Sequence, residues 1–176
     1  MKTTKNFKEL LTEVKAFAFD VDGVFSSAVT LLDSNGEMFR TANIKDGYII
    51  QLLAKKGYPI AIITGGNFAG VEKRFEKLGV KDIYLSASDK IKVLKSFMAK
   101  YNLGPEHVLY MGDDIPDLAP MEYVGIPVCP SDAAEEIKAV SLYISDKKGG
   151  EGCVRDVVEQ VLRAKGEWLQ HEDHIW

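Results

Sequence analysis

Phe17-Ala18-Phe19-Asp20-Val21-Asp22-Gly23 is an apolar run that ends in two carboxylates, and this stretch decides the fold. A short continuous apolar run is typical of a strand that is buried on both faces of a parallel sheet. Asp20 and Asp22 have period-two spacing, which directs both side chains the same way on an extended backbone. Neighbouring carboxylates repel each other unless a cation or a proton lies between them. The pair therefore predicts a divalent metal and a nucleophilic aspartate at the carboxyl end of a strand.

Polar residues follow two further apolar runs in the same way. Thr64-Gly65-Gly66 follows residues 59–63, and Gly112-Asp113-Asp114 follows residues 107–111. Lys90 lies between these two motifs, after a short apolar run and a polar turn. In a doubly wound sheet the carboxyl ends of the strands meet at one crevice, where ligands bind. Two acidic pairs, a hydroxyl and an ammonium at one crevice predict a phosphoryl-transfer site.

The rest of the chain alternates helical and strand-like patterns from Val14 to Ala164. This alternation predicts an α/β fold with a doubly wound, mainly parallel, Rossmann-like sheet. Further strands are predicted at residues 125–128 and 142–144. Helices are predicted at residues 48–55, 68–77, 90–101, 132–140 and 154–164. The last helix is amphipathic, and its valine stripe is expected to face the sheet.

One segment interrupts the alternation. Residues 29–40 predict a β-hairpin insertion, with Asn35-Gly36 as the turn signal. The hairpin and a helix fill the roughly forty residues between Asp22 and Thr64, so no cap domain fits there. An open crevice exposes a reactive intermediate to water, and a neighbouring subunit is the simplest cover for it. The missing cap therefore predicts self-association, and so does the hairpin, because an isolated hairpin is only marginally stable.

Order and spacing of these motifs resemble the haloacid dehalogenase superfamily of aspartate-nucleophile phosphatases across essentially the whole chain. Three segments look like the 3-deoxy-D-manno-octulosonate 8-phosphate phosphatases: residues 43–47, 112–117 and 149–155. The resemblance implies hydrolysis of that eight-carbon sugar acid phosphate, with a nine-carbon 2-keto-3-deoxy sugar acid 9-phosphate as the alternative. It also implies Mg²⁺ as cofactor, a homotetramer and a role in lipopolysaccharide biosynthesis.

The acidic residues then have expected roles in catalysis and metal binding. Asp20 is expected to attack phosphorus and form an aspartyl phosphate. Asp22 is expected to protonate the leaving oxygen and then to deprotonate the hydrolytic water. Asp113 is expected to bind Mg²⁺ together with Asp20 and the backbone carbonyl of Asp22. Asp114 and Asp117 are expected to orient these ligands, although Asp117 has a helix cap or a surface charge as its alternative.

The remaining cleft residues are expected to bind the substrate. The hydroxyl of Thr64 and the amides made accessible by Gly65 and Gly66 are expected to bind phosphoryl oxygens. Lys90 is expected to neutralise charge on Asp20 and on the phosphoryl group. The alternatives are a helix N-cap for Thr64 and a solvated position for Lys90. The resembled family has an arginine directly after Thr-Gly, whereas this chain continues with Gly66 and Asn67, so the pocket wall differs and Asn67 is expected to bind the substrate there.

The C-terminal part leaves more alternatives open. Arg155 opens the last helix after a Gly-rich turn, and it is expected either to hold the substrate, with Lys148 as a second cation, or to form a surface salt bridge. Residues 1–166 are predicted to be a single phosphatase domain, and residues 167–176 a tail. The tail has three readings: metal ligands, a frayed terminus, or a cover for a neighbouring site. Its candidate residues are Trp168, His171, Glu172, Asp173, His174 and Trp176.

Composition limits the partners. At 176 residues the chain has the length of one domain, and its net charge of −4 argues against nucleic acid. Cys129 and Cys153 have no metal-ligand spacing, so reduced thiols and a cytoplasmic location are expected. No signal peptide and no run of membrane-spanning length is apparent, so no membrane partner is expected. The predicted partners are a small sugar acid phosphate and further copies of the chain.

Two other classes of function compete with a phosphatase. A phospho-receiver signalling module also combines an acceptor aspartate, a hydroxyl, a lysine and an acidic pair. In receivers the acidic pair comes first and the lysine last, whereas here Lys90 precedes the second acidic pair. A catalytically idle homologue would lack a catalytic residue, and none of the expected ones is missing.

Overall fold

The computed structural model describes residues 6–174, apart from the side chain of Glu172. The strands in chain order are β1 Ala16–Phe19, β2 Leu31–Leu32, β3 Met38–Phe39, β4 Ile60–Ile63, β5 Asp82–Tyr84, β6 Val108–Met111, β7 Ile126–Cys129 and β8 Tyr143–Ile144. The α-helices are α1 Phe7–Leu10, α2 Ile44–Lys55, α3 Ala69–Lys77, α4 Lys90–Lys100, α5 Leu118–Tyr123, α6 Glu135–Val140 and α7 Cys153–Ala164. Short 3₁₀ turns lie at Leu11–Glu13, Pro105–His107, Ile115–Asp117 and His171–His174.

Six strands form one sheet in the order β5-β4-β1-β6-β7-β8, and each neighbouring pair is parallel. The central strand β1 lies between β4 and β6, with Phe19 beside Ile62 on one side and Met111 on the other. Because all six strands run the same way, their carboxyl ends meet at one edge of the sheet. The doubly wound parallel sheet predicted from the sequence is confirmed.

The two faces of the sheet support separate hydrophobic layers. Phe17 and Phe19 of β1 point to one face, where they pack with α2, α3 and α7. Ala16 and Ala18 point to the other face, against α4, α5 and α6. This alternation is the period-two pattern of a strand that is buried on both sides. The predicted apolar stripe of α7 faces the first layer, with Val154, Val157, Val158, Val161 and Leu162 fully buried.

Two helices begin three or more residues away from their predicted starts. Helix α2 begins four residues earlier than predicted, because the side chain of Asn43 accepts hydrogen bonds from two backbone amides of its first turn. Helix α6 begins later, at Glu135 rather than at residue 132. Helices α1 and α5 were not predicted, because segments of four and six residues are too short to show a helical period.

The predicted hairpin is confirmed as the antiparallel pair β2 and β3, in which Leu31 pairs with Phe39. Its apolar side chains are exposed, Leu31 at 76% and Phe39 at 60%. The hairpin and α2 occupy the segment between Asp22 and Thr64, so residues 6–174 contain no separate cap domain. The expected free thiols, Cys129 and Cys153, are buried on opposite faces of the sheet.

The tail is docked on the body of the protein as far as His174, so a frayed terminus is wrong for this part. Asp173 is buried and forms an ion pair of 2.8 Å with Lys56, and Tyr48 donates a hydrogen bond to the carbonyl of Asp173. Trp168 packs against the core. The predicted tail residue Trp176 lies outside the described residues.

In the part of the chain that the structure describes, residues 6–174, no helix is both long and apolar enough to cross a bilayer.

Candidate active site

Side chains from the carboxyl ends of the sheet line one cleft of about 530 Å³. Three connections supply them: the loop after β1, the turn after β4 and the loop after β6. The first turn of α4 and the hairpin complete the walls. The sequence-predicted residues in this cleft are Asp20, Asp22, Thr64, Gly65, Gly66, Lys90, Asp113, Asp114 and Asp117.

Lys90 lies at the bottom of the cleft between two carboxylates. Its Nζ is 3.0 Å from Asp20 Oδ2 and 2.8 Å from Asp117 Oδ1. Only 6% of the side chain is exposed, so the solvated alternative for Lys90 is wrong. Burial by itself would lower the pKa of Lys90, but the charges of Asp20 and Asp117 outweigh it and raise that pKa. Lys90 therefore stays protonated and ready to neutralise negative charge in the cleft.

Three carboxylates meet beside this lysine. Asp20, Asp113 and Asp117 each place one oxygen within 4.8 Å of the others. With Lys90 protonated, three ionised carboxylates leave a net charge of −2, which a divalent cation would balance. Carboxylate oxygens are also the ligands that hard cations such as Mg²⁺ prefer. The donor set therefore fits a divalent metal ion.

The same crowding disturbs the protonation of the cluster. Burial and then the charge of Asp117 raise the pKa of Asp20 to about 8. Burial, followed by the charges of Asp117 and Asp114, raises the pKa of Asp113 to about 7. Both carboxyls therefore hold a proton more readily than usual when nothing else neutralises them. A bound cation would displace these protons.

Asp117 has a larger part in the site than its sequence position indicated. It is fully buried, so a surface position is wrong. Its Oδ1 accepts hydrogen bonds from Lys90 and from the hydroxyl of Tyr110, and its Oδ2 accepts one from the backbone amide of Asp113. Asp117 thus fixes the lysine and the loop that carries Asp113. The exposed Asp114 contributes its charge to the neighbourhood.

Asp22 has an unpredicted partner. Arg40, at the end of the hairpin, donates from Nε to Asp22 Oδ1 at 2.7 Å and from Nη2 to Oδ2 at 3.0 Å. Ser26 also donates to Oδ1. The hydroxyl of Thr41 accepts a hydrogen bond from the backbone amide of Ser27. This contact joins the base of the hairpin to the loop after β1, residues 20–27, which we call the nucleophile loop after the expected role of Asp20. The sequence signal for Arg40 was its place on a hairpin directly after that loop.

Thr64 and the glycines after it form the opposite wall. Thr64 is 3% exposed, and its Oγ1 accepts a hydrogen bond of 3.1 Å from the amide of Gly66. This contact belongs to a turn and leaves the hydroxyl hydrogen free to be donated. Gly65 is exposed with open space at its Cβ position, so its backbone is accessible to a ligand. Helix α3 begins at Ala69 with Phe68 as its N-cap residue, so a cap role for Thr64 is wrong.

Two predicted substrate-binding residues lie outside the cleft lining. Asn67 is exposed beyond Gly66. The guanidinium of Arg155 forms an ion pair of 2.8 Å with Glu159 and lies over the rings of Tyr48 and Trp168. A role for Arg155 in binding the substrate receives no support from this arrangement.

Segments that carry the family resemblance brace the nucleophile loop from behind. The amide of Gly150 donates to the carbonyl of Val24, and the side chain of Asn43 donates to the carbonyl of Gly150. Asp46 is fully buried and accepts a hydrogen bond from the amide of Arg155 in the first turn of α7. Burial is the main cause that raises the pKa of Asp46 to about 6. These contacts hold α2, the Gly-rich turn and the nucleophile loop in one arrangement.

Known proteins are similar to this chain in both sequence and fold. A family of haloacid dehalogenase-like hydrolases matches residues 82–155. The 3-deoxy-D-manno-octulosonate 8-phosphate phosphatase of Escherichia coli K12 is 35% identical over 153 residues, which are 87% of this chain and 81% of that protein. The crystal structure of the Yersinia pestis phosphatase of the same name has a TM-score of 0.88 at 31% identity, covering 95% of this chain and 93% of that one.

A further crystal structure contains ligands. It is the phosphatase of the same name from Moraxella catarrhalis, in complex with a magnesium ion, a phosphate ion and a KDO molecule. It has a TM-score of 0.87 at 34% identity and covers 92% of this chain and 93% of that one. Sequence, fold and site chemistry agree, so this chain belongs to the haloacid dehalogenase-like hydrolases and, within them, to the family of the 3-deoxy-D-manno-octulosonate 8-phosphate phosphatases.

Proposed function

We propose that this chain is a Mg²⁺-dependent phosphatase that hydrolyses 3-deoxy-D-manno-octulosonate 8-phosphate to the free sugar acid and phosphate. The observation that carries the proposal is the meeting of Asp20, Thr64 and Lys90 in one cleft, beside a carboxylate cluster with the charge to hold a divalent cation. The relatives named for this reaction support the choice of substrate.

Asp20 is the proposed nucleophile. One of its carboxylate oxygens attacks phosphorus in line, the bond from phosphorus to the sugar oxygen breaks, and an aspartyl phosphate forms. Lys90 holds Oδ2 of Asp20 and neutralises charge as the phosphoryl group arrives. Thr64 and the amides of the glycine turn bind phosphoryl oxygens. Water then attacks phosphorus and releases phosphate, which regenerates the Asp20 carboxylate.

Asp22 is the proposed acid and base. It gives a proton to the leaving sugar oxygen and takes one from the attacking water. In the structure both oxygens of Asp22 accept hydrogen bonds from Arg40, so Arg40 must release at least one of them before Asp22 donates a proton. The loop carrying Asp22 is anchored at Val21, whose carbonyl accepts hydrogen bonds from the amides of Val24, Phe25 and Ser26.

Asp20 and Asp113 are the proposed side-chain ligands of Mg²⁺, together with the backbone carbonyl of Asp22. The oxygens of Asp117 are already engaged by Lys90, Tyr110 and the amide of Asp113, so Asp117 orients the site. When bound, the ion supplies positive charge that stabilises the phosphoryl oxygens during transfer.

A panel of substrates tests the proposed function. It should contain the eight-carbon sugar acid phosphate, a nine-carbon 2-keto-3-deoxy acid 9-phosphate and phosphates of hexoses, which have no carboxylate. We expect the highest kcat/KM for the eight-carbon substrate. If hexose phosphates were hydrolysed with the same kcat/KM as the sugar acid phosphates, the proposed substrate would be wrong, but the proposed phosphatase activity would stand. The nine-carbon acid is the second candidate, because position 66 is a glycine where the resembled family has an arginine.

Mg²⁺ should stabilise the folded protein, since it neutralises the excess charge of the carboxylate cluster. At a concentration 100 times its dissociation constant, binding contributes about 2.7 kcal/mol, and for a chain of this length that raises Tm by roughly 5–10 °C. The increase should be smaller at pH 6 than at pH 8, because the raised pKa values of Asp20 and Asp113 let protons compete at the lower pH. Thermal unfolding with and without Mg²⁺ measures both effects.

Two variants sharpen this measurement. Asp113→Asn should keep the Tm of the metal-free protein or raise it, because it removes a repelling charge, and it should lose most of the increase with Mg²⁺. Asp146→Asn is the matched control, because Asp146 is an exposed carboxylate that pairs with Lys147 outside the cleft lining. An undiminished Mg²⁺ effect in Asp113→Asn would contradict the metal site.

We also propose a cytoplasmic homotetramer. Support comes from the exposed apolar residues of the hairpin, which flank an open cleft. Contacts with a second copy would bury these side chains, and burial of apolar surface is the main favourable contribution to association. The subunit contacts would also shield the aspartyl phosphate from bulk water.

A further inference from the structure

Only two cationic side chains, among the described residues, line the cleft: Lys90 and Arg40. The ammonium of Lys90 is held between two carboxylates at the bottom, where the phosphoryl group is transferred. Arg40 comes from the end of the hairpin and lies in the wall. Within this chain, Arg40 is therefore the cation in the cleft wall that a second anionic group of the substrate can meet.

Gly66 makes room for this guanidinium. A Cβ atom added at Gly66 would lie 3.1 Å from Nη2 of Arg40, 3.5 Å from Oγ1 of Thr64 and 3.6 Å from Oδ2 of Asp22. The first distance is shorter than an ordinary van der Waals contact, so a side chain at position 66 would displace the guanidinium by a few tenths of an ångström. The glycine thus places Arg40 next to the phosphate-binding turn, between that turn and the nucleophile loop.

Arg40 is also held in a geometry suited to carboxylates. Its guanidinium lies 5.3 Å from the centre of the Phe68 ring, and its side chain is 11% exposed. The two hydrogen bonds to Asp22 use two of the five N–H groups of a guanidinium, which leaves three for a ligand. A planar guanidinium that is already ordered loses little entropy when it binds a carboxylate through two hydrogen bonds.

We propose that Arg40 binds the carboxylate of the sugar acid substrate and, in the space left by Gly66, selects acidic over neutral sugar phosphates. This inference rests on the proposed function. The guanidinium bridges Asp22 and the substrate carboxylate, so it holds the sugar acid beside the residue that protonates its leaving oxygen. A neutral sugar phosphate gains nothing from this contact.

Arg40→Ala tests the inference on two substrates that share a primary phosphate ester: the eight-carbon sugar acid phosphate and a neutral pentose 5-phosphate. We expect kcat/KM for the sugar acid phosphate to fall about 10- to 100-fold, because the loss of hydrogen bonds between charged groups commonly has an effect of that size. The value for the pentose phosphate should fall by a smaller factor, because that substrate loses only the effect of the contact between Arg40 and Asp22 and has no carboxylate to lose. Arg40→Lys should give an intermediate loss, since lysine keeps the charge without the two-pronged geometry.

Controls separate binding from structural effects. Arg163→Ala removes an exposed arginine of α7 outside the cleft lining and should leave both substrates unaffected. Calorimetry with the free sugar acid gives a readout that does not need turnover, and Arg40→Ala should weaken that binding. The side chain of Arg40 lies in the cleft wall and belongs to neither hydrophobic layer, so the variant should fold, and thermal unfolding verifies this.

The outcomes are distinct. An equal loss on both substrates would mean that Arg40 only positions Asp22, and it would overturn the inference. A selective loss in Arg155→Ala, with none in Arg40→Ala, would overturn it in favour of the other arginine. If the unmodified enzyme prefers the sugar acid and Arg40→Ala keeps that preference, the inference fails while the proposed function stands. If the unmodified enzyme shows no preference, the proposed substrate fails as well.

Discussion

Asp20→Asn should abolish phosphatase turnover. The amide that replaces the carboxylate is a poor nucleophile and cannot form the acyl phosphate, so the reaction loses its first step. Loss of a covalent nucleophile commonly costs several orders of magnitude in kcat. In the structure Lys90 Nζ lies 3.0 Å from Asp20 Oδ2. The amide oxygen of the variant can still accept a hydrogen bond from Lys90, so the fold should persist. Steady-state release of phosphate measures the effect, and the rate should fall to the background of the assay.

The control for this variant is the same chemical change elsewhere on the protein. Asp146→Asn removes an exposed carboxylate outside the cleft lining and should retain full activity. Asp20→Asn that kept the rate of the unmodified enzyme would show that Asp20 is not the nucleophile. In that case the family assignment would remain, but the proposed mechanism would be wrong.

The central part of this site could be predicted from the sequence because its residues stand directly after strands. Asp20, Thr64 and Asp113 each follow a strong apolar run, and parallel strands bring such positions together whatever the loops do. The position of Lys90 could be predicted for the same reason, because Lys90 begins the helix that follows β5. Local patterns and one topological rule were enough for these residues.

Other parts depend on packing that no local pattern records. Arg40 reaches Asp22 because the hairpin folds back over the nucleophile loop, and the angle of that fold is set by contacts such as the one from Ser27 to Thr41. Asp117 is buried because a short 3₁₀ turn, Ile115–Asp117, directs it inward beneath Lys90. Tail docking through Asp173 likewise depends on a lysine more than one hundred residues away in the sequence.

Gly23 shows most clearly how the structure adds to the motif. It has a φ of +79°, in the left-handed region that favours glycine. A Cβ atom at this position would lie 1.9 Å from Oδ2 and 2.3 Å from Cγ of Asp113. Behind it, a Cβ at Gly149 would lie 1.9 Å from the carbonyl oxygen of Gly23, so the loop cannot move back in that direction. Gly23 therefore lets the nucleophile loop and the carboxylate of Asp113, the proposed metal ligand, approach each other closely.

Gly23→Ala should lower kcat/KM by about 10²-fold or more, since a displacement of about 1 Å at a catalytic group has effects of that size. It should also remove most of the Tm increase produced by Mg²⁺, because the added methyl group would push the carboxylate of Asp113 out of its position. Gly36→Ala is the matched control: its φ of +83° imposes the same backbone strain of about 1–2 kcal/mol, but nothing lies within 4 Å of the added Cβ. Kinetics and thermal unfolding of the two variants separate backbone strain from the clash. If both lost activity equally, the close approach of Gly23 to Asp113 would not be what the site requires.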